Sequence, residues 1–155
     1  MRRKDKEITD RKLIDKILSN SIICRIAMVD NGVPYIVPLN YGYFNNALYI
    51  HSALKGKKID IFKKNNKVCF EVENSVEIFK HDEPCHWGTR YRSLIGYGTI
   101  EIIDEFDRKK EGLDIIMSQH GKTYNNIYNE KHLNSIIILK LNIESISGKQ
   151  SGNWD

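Results

Sequence analysis

Three cysteines and three prolines are a sparse supply for 155 residues, and each scarcity excludes something. Cys24, Cys69 and Cys85 form an odd set without CxxC spacing, and the first two sit inside apolar strand-like runs. That pattern argues against a disulfide framework and for a reducing compartment. His81-x-x-x-Cys85-His86 offers metal donors, but no fourth ligand accompanies it at a familiar spacing, so no metal is expected. No repeat, linker or low-complexity segment is present.

A strong charge bias is also lacking. Lys and Arg number 24 against 20 Asp and Glu, and the net +4 falls short of a nucleic-acid footprint. The start, Met1-Arg2-Arg3-Lys4-Asp5-Lys6-Glu7, is charged and leads into no apolar h-region, so a cytoplasmic protein without signal or anchor is expected. The composition is that of one soluble globular domain over residues 1–155. A chain of this length can bury roughly 70% of its unfolded surface.

Asp10 precedes Leu13, Ile14, Ile17 and Leu18, which predicts a short amphipathic helix over about 10–20. Runs at 22–29 and 33–44 flank Asp30-Asn31-Gly32, a hairpin signal, and a third run at 47–52 after Asn45-Asn46 predicts a three-strand meander. A short helix over 56–65 and a strand at 68–72 follow. Then come a long strand at 91–103, a helix at 104–120 and a closing strand at 135–146. Gly96 and Gly98 inside the long strand suit a bulge, a bend or a close approach by another group. The expected fold is mainly β with appended helices: a six-stranded antiparallel barrel.

The most informative absence lies between Asn31 and Leu54, where no Asp, Glu, Lys or Arg occurs although 28% of the chain is charged. Pro34, Pro38, Asn40, Asn45, Asn46, His51 and Ser52 interrupt this stretch, whereas a membrane span wants about 20 mostly apolar residues. It reads as strands with a core wall of Tyr35, Val37, Leu39, Tyr41 and Tyr43 and a second wall of Ile36, Pro38, Asn40 and Gly42. Pro38 belongs at an edge, where it either blocks aggregation or leaves neighbouring backbone groups free for a ligand.

Six lysines then fall within Lys55 to Lys67. They form either a solvated helix face or, at Gly56-Lys57-Lys58, an anion site at a helix start. A Walker loop is excluded, because it needs glycine where His51 stands and Ser or Thr where Lys58 stands. A ligand with a neutral planar head and a phosphate tail would use both halves of the segment. FMN is such a ligand, with its ring near Val37, Pro38, Leu39 and Asn40 and its phosphate near Ser52, Lys57 and Lys58. Other phosphorylated aromatics satisfy the same physics.

Tyr35-Ile36-Val37-Pro38-Leu39-Asn40-Tyr41-Gly42, Leu48-Tyr49-Ile50-His51-Ser52-Ala53 and Gly56-Lys57-Lys58 resemble the nitroimidazole-resistance (Nim-type) branch of the pyridoxamine 5'-phosphate oxidase-like, FMN-binding split-barrel proteins. Tyr91-Arg92-Ser93-Leu94-Ile95-Gly96-Tyr97-Gly98 and Asn129-Glu130-Lys131-His132-Leu133-Asn134 resemble it too, so the likeness covers nearly the whole chain. It implies a homodimeric split barrel holding FMN in two interface clefts. His51 and Ser52 would meet ring and ribityl, and Arg92 and Ser93 would complete the pocket. The chain lacks the Arg-Leu-x-Pro-like ending of true pyridoxamine phosphate oxidases, which speaks against vitamin B6 oxidation.

Three functions follow as expectations. The first is an oxidoreductase whose FMN takes electrons from a small-molecule donor, such as a nicotinamide nucleotide, and passes them to a small acceptor such as a nitroaromatic. In it His51 is the candidate proton donor, or else only a flavin or wall contact. Trp87 and Tyr91 could stack on ring or substrate, or pack an interface. The second is a non-catalytic flavin-binding or storage protein. The third, a nucleic-acid or membrane-surface binder using the lysines, is weakest, since aromatics do not interleave with them.

Overall fold

The computed structural model describes residues 3–122 and 126–154. Met1 and Arg2 of the charged start, and the last residue of the expected domain, Asp155, lie outside the described residues. Helix α1 (Arg11–Asn20) begins where the Asp10 carboxylate accepts from the Lys12 amide at 2.9 Å, and it buries Ile14, Ile17 and Leu18. Strands β2 (Ile23–Asp30) and β3 (Val33–Asn40) form the expected hairpin. Asn31 and Gly32 take φ of 49° and 85°, the conformation a two-residue turn between twisted strands demands.

The expected meander does not continue from there. Strand β4 (Gly42–Phe44) pairs only with β5 (Ala47–Ala53), across Asn45 and Asn46, and β5 pairs with the last strand, not with β3. The reason is Tyr41. Its ring is fully buried, and its hydroxyl donates to the Leu18 carbonyl of α1 at 2.7 Å. The chain bends there and carries its next strand to the opposite sheet edge.

Helix α2 (Lys57–Lys64) buries Ile59, Ile61 and Phe62 and leads into β6 (Lys67–Phe79), which pairs with β2. Strands β6 and β7 (Gly88–Ile103) form a long hairpin, and β8 (Ile136–Ser151) pairs with β7 on one side and β5 on the other. Both β6 and β8 run well past the predicted ends, to Phe79 and Ser151. The remaining strand, β1 (Glu7–Ile8), pairs with the end of β8. All described pairings are antiparallel, in the order β3-β2-β6-β7-β8-β5-β4. The six expected strands correspond to the long ones; β1 is a short addition, and β4 is the end of the expected 33–44 run, separated from β3 at Tyr41. The β3 edge and β5, whose residues past Tyr49 have no β4 partner, approach without pairing, so the barrel is split between them.

The interior is filled by alternate residues such as Cys24, Ile26, Phe70, Val72, Leu94, Leu139 and Leu141. Helix α3 (Phe106–Gln119) is capped by Glu105, whose carboxylate accepts from the Asp107 and Arg108 amides. It covers a smaller cluster of Ile103, Ile116 and Ile138, with Tyr49 and Leu113 against it. Lys109, only 3% exposed, lies under this helix, and its ammonium donates to Asp104 Oδ1 and to the Ile136 carbonyl. Helix α4 (Glu130–Leu133) precedes β8. Among the described residues no helix is long and apolar enough to cross a membrane.

Gly96 and Gly98 have internal reasons. The β7–β8 register shifts between Tyr97 and Gly98, a bulge. A Cβ on Gly98 would stand 2.1 Å from the Asn142 carbonyl oxygen, and one on Gly96 would meet the Phe70 ring. Gly98→Ala is therefore expected to destabilise the fold by ~1–3 kcal/mol through overpacking against backbone. Urea unfolding measures it; an unchanged midpoint would remove the bulge from the argument.

Candidate flavin site at the barrel split

Pro34 and Pro38 explain each other through register. Asp30 and Val33 close a two-residue turn and so form a hydrogen-bonded pair. The alternate pairs Val29–Pro34, Ala27–Ile36, Arg25–Pro38 and Ile23–Asn40 therefore point their backbone groups away from each other. The prolines fall only where no ladder donor is needed. The free outward groups of β3 are then the amides of Ile36 and Asn40 and the carbonyls of residues 34, 36, 38 and 40. On the inner face, Tyr35, Val37 and Leu39 are half-buried rather than core, because an edge strand is covered on one side only.

Across the split, β5 turns His51 outward, while its neighbours Ile50 and Ser52 are buried. The Ser52 hydroxyl faces the interior and donates to the Ala53 carbonyl at 3.2 Å. Helix α2 follows at once. Gly56, its N-cap at φ 133°, carries no capping side chain, which leaves the first amides of the helix without a side-chain acceptor. Lys57 and Lys58 stand on that turn. The Lys57 ammonium lies 4.5 Å from the centre of the Tyr35 ring and 3.8 Å from Asp30 Oδ2, which ties α2 to the β2–β3 hairpin. Tyr35 and Asp30 were not expected in this role; aromatic–cation pairing across elements leaves no trace in sequence spacing.

Arg92 and Ser93 lie elsewhere in the same chain. They sit on β7, separated from β3 by β2 and β6, roughly 14 Å at the usual strand spacing. The Arg92 guanidinium carbon is 3.8 Å from the centre of the Trp154 ring, and its Nε donates to Gln150 at 3.3 Å. The fold thus sets Val37, Pro38, Leu39 and Asn40 on the β3 edge, His51 on β5 across the split, and Lys57 at the start of α2 against Tyr35 and Asp30, next to Lys58, while Arg92 and Ser93 lie apart from β3. A concavity of about 560 Å³ between α1, β4 and α3 is lined by none of these residues.

On the outer sheet face, register aligns Ile36, Ala27, Cys69 and Tyr97 in one row, and Pro38, Arg25, Glu71 and Ile95 in the next. Ile36 and Tyr97 are 58% and 57% exposed, too open for residues of this kind to be part of the core. The Arg25 guanidinium bridges Glu71 and Glu73 at 2.9 and 3.0 Å beside them. The three cysteines are free, and burial pushes the Cys24 thiol up to about 12, which leaves it inert at neutral pH.

A family profile described as pyridoxamine 5'-phosphate oxidase matches residues 10–150. The chain belongs to that family. Its fold is similar to that of a Bacteroides thetaiotaomicron protein provisionally described as a 5-nitroimidazole antibiotic resistance protein. The two share 29% identity over 93% of this chain and 86% of that one, with a TM-score of 0.83. A protein of Mycobacterium smegmatis described as FAD and heme binding is 25% identical over 96% of this chain and 75% of that one, with a TM-score of 0.84. The flavocytochrome Anf3 of Azotobacter vinelandii shares the fold at 17% identity and a TM-score of 0.82, over 99% of this chain and 72% of its own. An uncharacterized protein of Rhizobium meliloti is 31% identical over 65 residues, and the match spans 42% of either chain.

Proposed function

We propose that this family member is an FMN-dependent oxidoreductase that passes electrons from a small-molecule donor to a small acceptor such as a nitroaromatic. The observation that carries the reading is the uncapped start of α2, with Lys57 and Lys58, set beside the outward backbone of β3. These residues fit the cofactor's two ends: helix amides and ammonium groups for a phosphate, and strand amides and carbonyls with the Asn40 side chain for a flavin's pyrimidine edge. FMN would supply the electron-transfer chemistry. The chain holds the phosphate, orients the ring and offers His51 as an exposed proton donor on the same rim.

A second copy of the chain is proposed to cover the outer face, because the Ile36–Tyr97 row is apolar and lies beside the Arg25–Glu71–Glu73 charges, which a two-fold contact can match. The partner's β7 is then our source for the remaining flavin contacts, Arg92 and Ser93, which one chain keeps away from β3. Free cysteines fit a reducing cytoplasm, where we place the protein.

Titration of the flavin-free chain should quench FMN fluorescence saturably at micromolar protein. Absence of quenching, or clear preference for FAD, would move the cofactor assignment. Replacing both Lys57 and Lys58 by Ala should weaken FMN more than riboflavin, since each charge-assisted bond is worth about 1.5–3 kcal/mol. Equal losses would place the phosphate elsewhere.

His51→Ala should slow acceptor reduction ~10²-fold or more with FMN still bound, the usual scale for a general acid. Loss of FMN instead would make His51 a cofactor contact, and no change would make it a wall residue. Failure of NADH and NADPH to bleach the bound flavin under anaerobic conditions would favour the storage reading.

Sedimentation should give a dimer that Ile36→Asp converts to monomer. A wild-type monomer that binds FMN fully would contradict the covered face.

A further inference from the structure

The β6–β7 hairpin carries a group of donor side chains that the flavin reading does not use. Between Phe79 and Gly88 the chain folds into a short 3-10 turn, Pro84–His86, whose first residue fixes its own φ. The turn is held by its own hydrogen bonds. The Glu83 amide donates to His81 Nδ1 at 3.0 Å, the His86 amide to the Glu83 carbonyl at 3.0 Å, and the Trp87 indole to the His81 carbonyl at 2.6 Å. The His81 and His86 rings meet edge to face, 4.7 Å between centres.

This scaffold gathers three donor atoms. One ligand atom from each of Glu83, Cys85 and His86 lies within 4.8 Å of the others. His86 Nδ1 is 3.2 Å from Glu83 Oε2, and Cys85 Sγ is 3.9 Å from the same oxygen. On a tetrahedral zinc, oxygen and nitrogen ligands about 2.0 Å from the ion stand roughly 3.3 Å apart and an oxygen–sulfur pair roughly 3.5 Å, so the His86–Glu83 separation is close to that of a bound pair and the Cys85 sulfur has a few tenths of an ångström to close. Sequence alone presented His81, Cys85 and His86 as the donors. The fold instead uses His81 Nδ1 to hold the Glu83 amide and turns the Glu83 carboxylate into the group.

We propose that Glu83, Cys85 and His86 form a three-ligand site for a borderline-soft divalent transition metal, zinc foremost, at the tip of the β6–β7 hairpin. The mixed carboxylate, thiolate and imidazole set selects against calcium and magnesium, which want oxygen alone. Binding forms the metal–sulfur bond as the Cys85 thiol gives its proton to solvent. The fourth position stays open to water or to a ligand from another molecule. All three side chains are exposed, so the ion can enter without any opening of the barrel. The proposal is independent of the flavin reading.

The test uses the full, untagged chain after chelator treatment, with zinc competed against a chromophoric chelator and cobalt as a spectroscopic probe. One zinc per chain is expected, together with a thiolate-to-cobalt charge-transfer band that Cys85→Ser abolishes. Cys85→Ser and His86→Ala should each weaken zinc ~100-fold or more, at least the upper end of what losing an outer-shell partner costs. His132→Ala, a change at an exposed histidine on α4, should leave it unchanged. Zinc should also slow alkylation of Cys85, read by mass spectrometry. Substoichiometric zinc, binding that survives both ligand replacements, or alkylation of Cys85 at the same rate with and without the metal would each overturn the assignment.

Discussion

The buried hydrogen bond from the Tyr41 hydroxyl to the Leu18 carbonyl anchors the bend around which the architecture is arranged. With it, β3 ends at Asn40, the chain crosses the barrel end, and β5 joins β8. Gln119 of α3 donates to the same Leu18 carbonyl and to that of Ser21, so one polar cluster pins α1, the bend and α3 together. Burial drives the Tyr41 phenol far above its ordinary range, which keeps it a neutral donor at any physiological pH.

The split that results gives β3 an edge that no strand of its own chain covers. Such an edge is a hazard, and prolines at positions 34 and 38 blunt it without costing a ladder bond. The same arrangement leaves outward amides only at Ile36 and Asn40, so the strand can meet a small hydrogen-bonding molecule more readily than a continuous peptide. Lys57 reaches back to Tyr35 and Asp30 and sets the start of α2 against this edge. The split of the barrel and the free outward groups of β3 thus both follow the bend at Tyr41.

The hairpin tip is built on a different principle. It owes nothing to the core: its order comes from Pro84 and from short-range hydrogen bonds among residues 81–87. Exposed apolar residues Val76, Ile78, Phe79 and Trp87 line the arm that carries it. The rim at the split and the turn at the tip therefore present separate chemistries, the first of backbone groups and ammonium ions, the second of carboxylate, thiol and imidazole.

Much of this was legible in the residues because the signals are local. Asp10 caps α1, Asn31-Gly32 and Asn45-Asn46 impose positive φ, and the alternation in 22–29, 68–72 and 91–103 marks inward faces. The uncharged stretch ending at a lysine turn marked the rim, and the glycines of β7 marked a bulge. What the sequence left open was every decision made by distant partners. The β4–β5 detour depends on a carbonyl 23 positions away from Tyr41. The burial of Lys109 depends on Asp104 and the Ile136 carbonyl, and the stacking of Arg92 depends on Trp154. The turning of Glu83 toward Cys85 and His86 depends on a local bond to His81, which no spacing rule reports. Sequence by itself determined where the main strands, the two Asn turns and the Asp10 cap lie, because those follow from dihedral and periodic preferences. Tertiary structure alone decided which edges meet and which side chains converge, because those follow from satisfying buried polar groups across the fold.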